Sequence, residues 1–449
     1  MTTGEQRSLE RTGTIWTAVA HVITGIIGAG VLSLGWSVAQ LGWALGPISI
    51  LVLAIITQIG IFLVIDCYKA PDPVAGPDRN RSFLGAVNYF LGKRQERICC
   101  IFVMVGFYGC GIAYTIVTSS CVRAILRSDC YHKLGHNADC SYGGKLYMLL
   151  FGLAQIVVSQ IPGFHEMTWL SVIAAAMSFT YASIGAALGL ATAIENREIK
   201  GSLWGVSAKS TPQKVWLVFQ ALGDISFAYP YTQIVPEIQD TLKASPPENK
   251  TMKKASIVSM LITTFFYLCC GCFGYAAFGD DTPGNLLTGF GFYDPYWLVD
   301  FANACVILHL IGSYQVYSQP VFAFAENWAA EKYPESKLVN KFHTYDLPLL
   351  PRFHVNAFRL CFRTLYVAST TGVAMIFPYF NQVLGFLGAL TFWPIAVYYP
   401  MEMYFVQKKI EPWTRKWYAF SAFSLFGLVI TIVGLIGSVE GLVTARFFK

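Results

Sequence analysis

A run of glycines inside a long uncharged stretch constrains this chain most. No Asp, Glu, Lys or Arg occurs between Thr12 and Ile65, so this stretch is predicted to lie in a membrane. Within it, Gly25, Gly28 and Gly30 fall in six residues, although each glycine costs a helix interior up to about 1 kcal/mol relative to alanine. Lipid cannot satisfy unpaired backbone groups, so irregular backbone survives there only beside a cavity or under protein. The glycine run therefore predicts a binding site at mid-membrane depth.

The remaining chain is also apolar: 55% of its 449 residues are hydrophobic and 13% are charged. The apolar blocks are far longer than the roughly ten-residue strands of an outer-membrane barrel. We therefore expect an all-α integral membrane protein that forms a single transmembrane domain over residues 1–449, with about eleven helices crossing the lipid bilayer. The predicted spans are roughly 14–40, 43–66, 97–126, 146–162, 167–194, 214–240, 255–278, 296–325, 357–377, 380–404 and 417–440.

The basic residues predict the orientation of the chain. If the N-terminus is cytoplasmic and eleven helices alternate, the inside segments hold 22 of the 32 Lys and Arg residues and the outside segments hold 10. This asymmetry follows the positive-inside rule and places the tail 1–11 in the cytoplasm and the C-terminus outside. The loop 195–214 argues the other way, because it would be external and carries four basic residues.

Two cysteines differ from the other ten. Cys130 and Cys140 lie in a polar loop that the predicted topology places outside, where disulfides persist. A disulfide between them is the preferred interpretation. The alternative is a zinc site that adds His132 and His136, although the spacing matches no standard zinc finger. The other cysteines lie mostly in apolar spans and are interpreted as small buried hydrophobic residues.

The sixth predicted span repeats the irregularity of the first. Residues 223–237 contain an acid, several polar side chains and two prolines, Pro230 and Pro236. Each proline removes a backbone donor and obstructs the preceding turn, so an uninterrupted helix is not expected. Each irregularity alone also fits close helix packing or a simple kink. Paired interruptions five helices apart favour an inverted-repeat transporter with a site between them.

The two interruptions suit a zwitterion. A half-helix that starts near Gly30 directs its N–H groups and positive dipole end at Gly28–Gly30, where a carboxylate can bind. Carbonyl groups freed near Ile26 and at Phe227–Ala228 can accept hydrogen bonds from an ammonium group. The side-chain pocket would be shaped by the aromatic residues Phe227, Tyr229 and Tyr231, for which core packing is the alternative interpretation.

Ionisable residues inside the spans are the candidates for coupling to an ion. Histidine titrates in the working pH range and therefore suits a proton better than sodium. The proton-coupling candidates are His21, Asp224 and His309, with Asp300 and Glu237 as further ionisable groups at membrane depth. The alternative for each histidine is a neutral ring bonded to a carbonyl. We find none of the motifs H-E-x-x-H, G-x-S-x-G or G-x-x-x-x-G-K-[ST], so no enzyme activity, metal, cofactor or nucleic-acid partner is expected.

Several blocks resemble the plant amino acid permeases of the amino acid/auxin permease family. They extend over nearly the whole chain, from about Arg11 to Leu442. The blocks are Thr12–Ala18 with His21, Gly28–Leu34, Asp66–Pro73, Gly135–Cys140, Ala221–Ile225, Glu237–Leu242, Ser245–Met252, Gly274–Gly291 and Phe301–Gln315.

The resemblance implies a proton-coupled amino acid symporter of the plasma membrane with a leucine-transporter-like fold. Inverted repeats would occupy about 12–194 and 214–404, with an extra helix at about 417–440. The substrate carboxylate would meet the backbone of Gly28, Ala29 and Gly30, and the substrate range would be broad. Pro230 and Pro236 stand where the family is expected to have other residues, which changes the pocket wall. The alternatives are an amino acid sensor without turnover and a carrier of auxin or another organic anion.

Overall fold

The computed structural model of the chain is a bundle of helices. It describes residues 11–135, 137–161, 168–208, 210–229, 231–291, 295–341, 343–345 and 353–447, with backbone alone for 168–172, 343–345 and 353–355. The helices are α1 Ile15–Ile26, α2 Leu34–Cys67, α3 Phe83–Leu91, α4 Lys93–Leu134, α5 Gly144–Ser159, α6 Thr168–Glu195, α7 Thr211–Ala228, α8 Val235–Asp240, α9 Glu248–Phe278, α10 Tyr296–Lys332, α11 Lys337–Asn340, α12 Ala357–Ile376, α13 Phe380–Thr391, α14 Tyr399–Lys408 and α15 Arg415–Phe447.

Each of the predicted spans contains a helix. Among the described residues, seven helical segments are long and apolar enough to cross a membrane, so the chain is a multi-pass membrane protein. They are Ala29–Cys67, Lys93–Leu134, Ile173–Glu195, Glu248–Asp281, Tyr296–Lys332, Phe380–Lys408 and Arg415–Phe447. Shorter apolar helices are Ile15–Ile26 and Gly144–Ser159. A segment of π-helix, Phe392–Tyr398, joins α13 to α14.

Helix α2 contains a kink that separates the first two predicted spans. Gly42 has φ +76°, a left-handed conformation that favours glycine, and a Cβ there would lie 2.2 Å from the backbone nitrogen of Gly205. The loop around Gly205 lies in this kink. Its Val206 N–H donates to the carbonyl of Ala39, and Trp43 N–H donates to the carbonyl of Ser202. The interrupted backbone is therefore satisfied by protein, as a membrane interior requires.

The segment before α1 is fixed to the end of α8 and the start of α9. Gly13 exchanges backbone hydrogen bonds with Thr241 and Lys243, and Arg11 forms an ion pair with Glu248. Lys69, at the first of two short hairpins, pairs with the same Glu248 at 2.9 Å. These contacts define one face of the bundle, which we call the N-face. Because they join the entry of α1 to α8, the two helices are expected to move together.

Two antiparallel hairpins lie outside the helices. In the first, β1 Lys69–Ala70 pairs with β2 Asp78–Arg79, with Lys69 opposite Arg79. In the second, β3 His343–Tyr345 pairs with β4 Phe353–Val355, with Thr344 opposite His354. Both are too short to stabilise themselves, so the fold depends on helix packing.

The core is rich in tyrosine. Eight of the largest fully buried side chains are tyrosines: Tyr68, Tyr181, Tyr229, Tyr231, Tyr267, Tyr275, Tyr314 and Tyr399. A buried tyrosine hydroxyl needs a hydrogen-bond partner. For Tyr68, just after α2, the partner is Asp240 at 2.6 Å, and burial together with this hydrogen bond raises the pKa of Tyr68. Other tyrosines donate to irregular backbone deep in the bundle.

Candidate functional site

The first break lies between α1 and the turn that precedes α2. Helix α1 ends at Ile26, Gly28 is extended, and a 3-10 turn occupies Ala29–Ser33. The first N–H groups of a helix have no partner within it, and among the described residues nothing accepts from the N–H groups of Ala29 and Gly30. The N–H of Gly28 is not free, because it donates to the Ile26 carbonyl at 2.9 Å. Of the three residues predicted to bind the carboxylate, Gly28, Ala29 and Gly30, only the last two therefore offer a free N–H donor.

Carbonyl groups at the first break are capped by hydroxyl groups from other helices. Four consecutive carbonyls each accept at least one such bond. The pairs are Gly25 with Tyr317 at 3.0 Å, Ile26 with Tyr267 at 2.9 Å, Ile27 with Ser178 at 2.8 Å and Gly28 with Tyr181 at 3.1 Å. The donors come from α6, α9 and α10. The acceptors of this break are thus satisfied while two of its donors stay open.

The second break separates α7 from α8. Helix α7 ends at Ala228, a 3-10 turn occupies Thr232–Ile234, and α8 starts at Val235. Pro236 is at the second position of α8, where a missing N–H costs no helical hydrogen bond. Pro230 lies outside the described residues. The Tyr267 hydroxyl also lies 2.7 Å from the Ala228 carbonyl, so its one proton is shared between the carbonyls of Ile26 and Ala228, one at each break.

The two breaks meet around a cavity of about 60 Å³, which we call the central cavity. Its lining includes Ile26, Gly28, Ala29 and Gly30 from the first break and Phe227 and Ala228 from the second. The breaks touch directly, since a Cβ on Gly30 would lie 3.0 Å from the Ala228 Cα. Tyr229 does not line the cavity; it is buried, and its hydroxyl donates to Thr264 at 3.3 Å.

A second cavity, of about 350 Å³, lies beside the central cavity and is lined in part by Ile238 of α8, near the N-face. We call it the N-side cavity. It shares Gly25, Val103, Gln233 and Tyr317 with the lining of the central cavity. His21 and Glu237 also line it, and the His21 side chain is exposed. The Oε1 atom of Gln233 is buried and accepts no hydrogen bond from a described residue.

On the other side of the first break lies a segment that we call the plug. The plug is residues 279–290, with 3-10 turns at Gly279–Asp281 and Leu286–Phe290. Its Leu286 and Leu287 are fully buried, and the second turn packs against Ala29–Ser33. The first break therefore lies between the plug and the central cavity, which adjoins the N-side cavity.

His309 lies beside the first break. A Cβ on Gly28 would be 3.9 Å from its Nε2 atom. Its Nδ1 lies 3.0 Å from both the Ser178 hydroxyl and the Ala174 carbonyl, and its Nε2 lies 3.1 Å from the Ser313 hydroxyl. A carbonyl only accepts, whereas a hydroxyl donates or accepts. The ring can therefore carry one proton or two without losing a partner.

Asp224 is fully buried in α7, one turn before Ala228. Its Oδ2 accepts from the Ser37 hydroxyl at 2.8 Å and from the Asn381 amide at 3.2 Å. Both donors are neutral. Its Oδ1 accepts no hydrogen bond from the part of the chain that the structure describes. The structure thus places His309 and Asp224 next to the two breaks and His21 in the N-side cavity.

On the face opposite the N-face, Cys130 and Cys140 are joined in a disulfide. His132 stacks on the Tyr296 ring at 4.3 Å, and His136 lies outside the described residues. Among the residues that the structure describes, no group of three or more His, Cys, Asp and Glu side chains could hold a metal.

Sequence reasoning missed the hydroxyl donors at the first break, Ser178, Tyr181, Tyr267 and Tyr317. A signal was present, because a tyrosine in an apolar span must find a hydrogen-bond partner. The sequence alone does not indicate which carbonyl group such a tyrosine binds. The pairing depends on residues far apart in the chain, such as Tyr267 and Ile26, which are separated by 241 positions.

Comparison with known families matches residues 11–444 to the family model described as transmembrane amino acid transporter protein. The chain belongs to this family. Probable amino acid permease 7 of Arabidopsis thaliana is 58% identical over 441 residues, which cover 97% of this chain and 94% of the relative. Amino acid permease 3 of the same plant is 50% identical over 434 residues, covering 96% and 91%. The predicted resemblance to plant amino acid permeases is confirmed.

The overall fold of this permease is also that of a solved transporter. The structure of MhsT in complex with L-phenylalanine matches with a TM-score of 0.52 and 9% sequence identity, covering 94% of this chain and 98% of that one. An identity this low shows the fold alone. Since MhsT has the leucine-transporter fold, the predicted leucine-transporter-like architecture is confirmed at the level of overall fold.

Proposed function

We propose that this permease is a proton-coupled symporter that imports amino acids of broad range across the plasma membrane. The observation that carries the proposal is the pair of open N–H groups of Ala29 and Gly30, which adjoin the central cavity between two interrupted helices. The names of its relatives, amino acid permeases, support the substrate class.

The substrate carboxylate would accept hydrogen bonds from Ala29 and Gly30, with the positive end of the following helix adding to the attraction. The ammonium group would donate to the buried Gln233 Oε1 and to remaining lone pairs of the Ile26 and Ala228 carbonyls. A cavity of about 60 Å³ has room for only a few water-sized groups, so it suits the charged head of an amino acid. The substrate side chain would extend into the N-side cavity. Its volume of about 350 Å³ leaves room for side chains of different sizes, and therefore for a broad range of amino acids.

Transport would proceed by alternating access. The N-terminus would be cytoplasmic and the C-terminus extracellular, as the basic residues predict, with eleven membrane helices and inverted repeats at about 12–194 and 214–404. We infer that in this orientation the conformation is inward-facing, because the N-side cavity adjoins the central cavity and the plug packs against the first break. Movement of α1 with α8 would close the N-side cavity.

Asp224 is our proposed proton carrier. A buried carboxylate without a cation is costly, whereas a carboxylic acid between neutral donors is not. Protonation would let Asp224 donate to Ser37 and would change how α7 packs on α2, next to both breaks. Moving one charge across about 100 mV supplies roughly 2.3 kcal/mol, enough for about a fifty-fold concentration ratio.

Two-electrode current recording in oocytes tests the proposal. A panel of amino acids is applied at neutral and at acidic external pH, with indole-3-acetate and propionate as anions that lack an ammonium group. We expect inward currents for several neutral amino acids that grow on acidification. No current for any amino acid, despite protein at the surface, would contradict transport and favour a sensor. Current with indole-3-acetate alone would favour an organic-anion carrier.

A further inference from the structure

A large cavity on the face opposite the N-face has no part in the proposed transport site. It has a volume of about 1020 Å³, and we call it the outer cavity. One wall is the C-terminal part of α4, another is the loop that the Cys130–Cys140 disulfide holds, and a third is the plug. None of its lining residues in the described part of the chain also lines the central cavity.

Two arginines of α4 line the outer cavity. Arg123 and Arg127 are one turn apart, both are exposed, and neither forms an ion pair with any residue that the structure describes. Arg127 donates to the Tyr131 hydroxyl at 2.8 Å. Like charges at this spacing repel each other. A carboxylate bound between them would relieve the repulsion, and guanidinium groups bind carboxylates in a preferred two-bond geometry.

One acid lines the same cavity. Asp139 is exposed on the loop wall and has no cationic partner in the described part of the chain. The neighbouring Cys140 is nearly buried and is disulfide-bonded to α4, which fixes the position of this loop. The outer cavity thus presents two cations on its helix wall and one anion on its loop wall. This charge pattern is complementary to a small zwitterion.

We propose that the outer cavity is a second binding site for a zwitterionic amino acid, which it captures from outside before the plug opens. The carboxylate binds Arg123 and Arg127, and the ammonium group binds Asp139. The site is separate from the central one, because Arg123 is nine residues beyond Tyr114, which lines the central cavity, or about 14 Å along the helix. This inference rests on the proposed function for its direction of transport, but its occupancy is measurable without transport.

Cysteine protection measures that occupancy. Ser120 lines the outer cavity, so Ser120→Cys is treated from outside with a membrane-impermeant methanethiosulfonate in the presence and absence of L-alanine. Wild type, which keeps its native cysteines, gives the background. We expect L-alanine to slow modification, and we expect Arg123→Gln with Arg127→Gln to remove this protection. Asp139→Asn should reduce protection by L-alanine to the level that propionate gives.

Transport kinetics give a second readout. The double arginine variant should raise the half-saturating L-alanine concentration about three- to tenfold, as expected for losing partly exposed charge-assisted hydrogen bonds. Maximal current per surface-biotinylated protein should stay unchanged. Lys145→Gln is the matched control, since it removes one positive charge from the same face but does not line the cavity. It should leave the half-saturating concentration unchanged.

The outcomes separate the two proposals. Wild type without current but with L-alanine protection of Ser120→Cys would contradict the proposed transport and support the outer site. Current in wild type, with no protection by L-alanine, would overturn the outer site alone. A half-saturating concentration within about twofold of wild type in the double arginine variant would also overturn it.

Discussion

The two breaks differ in how their backbone groups are satisfied. At the first, hydroxyl groups from three other helices cap the carbonyls of Gly25, Ile26, Ile27 and Gly28, and two N–H donors stay open. At the second, Tyr267 caps the Ala228 carbonyl, and the chain after it is held by buried packing of Tyr229 and Tyr231. In the proposed mechanism, the first break would therefore supply the groups that bind the substrate, and the second would form a wall of the central cavity.

The largest effect that this comparison predicts is at Gly28. A Cβ there has ordinary contacts at 3.9 Å with His309 and Tyr114, but a leucine would fill a cavity of about 60 Å³. Gly28→Leu should therefore remove more than about nine-tenths of amino acid uptake, because the substrate head has no other space. Surface biotinylation controls for folding, and Gly28→Ala should give a smaller loss. Full uptake by Gly28→Leu would show that the carboxylate binds elsewhere.

The second-largest effect is expected at Asp224, the acidic residue in the helix that ends at the second break. Asp224→Asn keeps the shape and the hydrogen bonds to Ser37 and Asn381 but cannot bind the transported proton. The response of uptake to external acidification should fall to a ratio of about one, while amino acid binding persists. Radiolabel uptake at two external pH values measures this ratio. Glu237→Gln, in the N-side cavity, is the control and should keep the response. A normal response in Asp224→Asn would exclude this residue as the carrier.

A smaller effect is expected at Tyr267, whose hydroxyl contacts a carbonyl of each break. Tyr267→Phe removes the single proton that the carbonyls of Ile26 and Ala228 share, which should lower uptake about three- to tenfold and destabilise the fold by about 1–3 kcal/mol. Tyr229→Phe is the matched control, because its ring packs 5.0 Å from that of Tyr267 but its hydroxyl reaches only Thr264. Thermal unfolding and uptake are compared. Because both variants keep their rings, equal losses would contradict a special role of the Tyr267 hydroxyl in joining the two breaks.

The smallest effect is expected at His21. Its side chain is exposed in the N-side cavity and has no hydrogen bond to a described residue. His21→Gln should change uptake by no more than about twofold at either pH, as is usual for such substitutions. His309→Gln, which loses bonds on both ring nitrogens, should reduce uptake more. The reverse order would assign the proton to the N-side cavity.

Much of the fold was predictable from the sequence because lipid imposes strong rules. Long apolar blocks predicted the membrane helices, and the kink at Gly42 falls between the first two predicted spans. Glycines and prolines marked both interruptions, since each weakens a helix for a local reason.

The finer structure of the site was not predictable, because it depends on contacts between distant residues and on one local turn. Sequence reasoning left the Ile26 and Ala228 carbonyls free, whereas both lie within hydrogen-bond distance of the Tyr267 hydroxyl and share its one proton. It placed Tyr229 in the pocket, whereas this residue packs behind the second break. It also counted Gly28 among the donors, but the turn at Ile27 uses its N–H internally.

A structure of the permease with a bound amino acid would test the central claim most directly. We expect the substrate carboxylate within hydrogen-bond distance of the N–H groups of Ala29 and Gly30, and the ammonium group beside Gln233. A carboxylate held by side chains away from the first break, with Ala29 and Gly30 unoccupied, would contradict it.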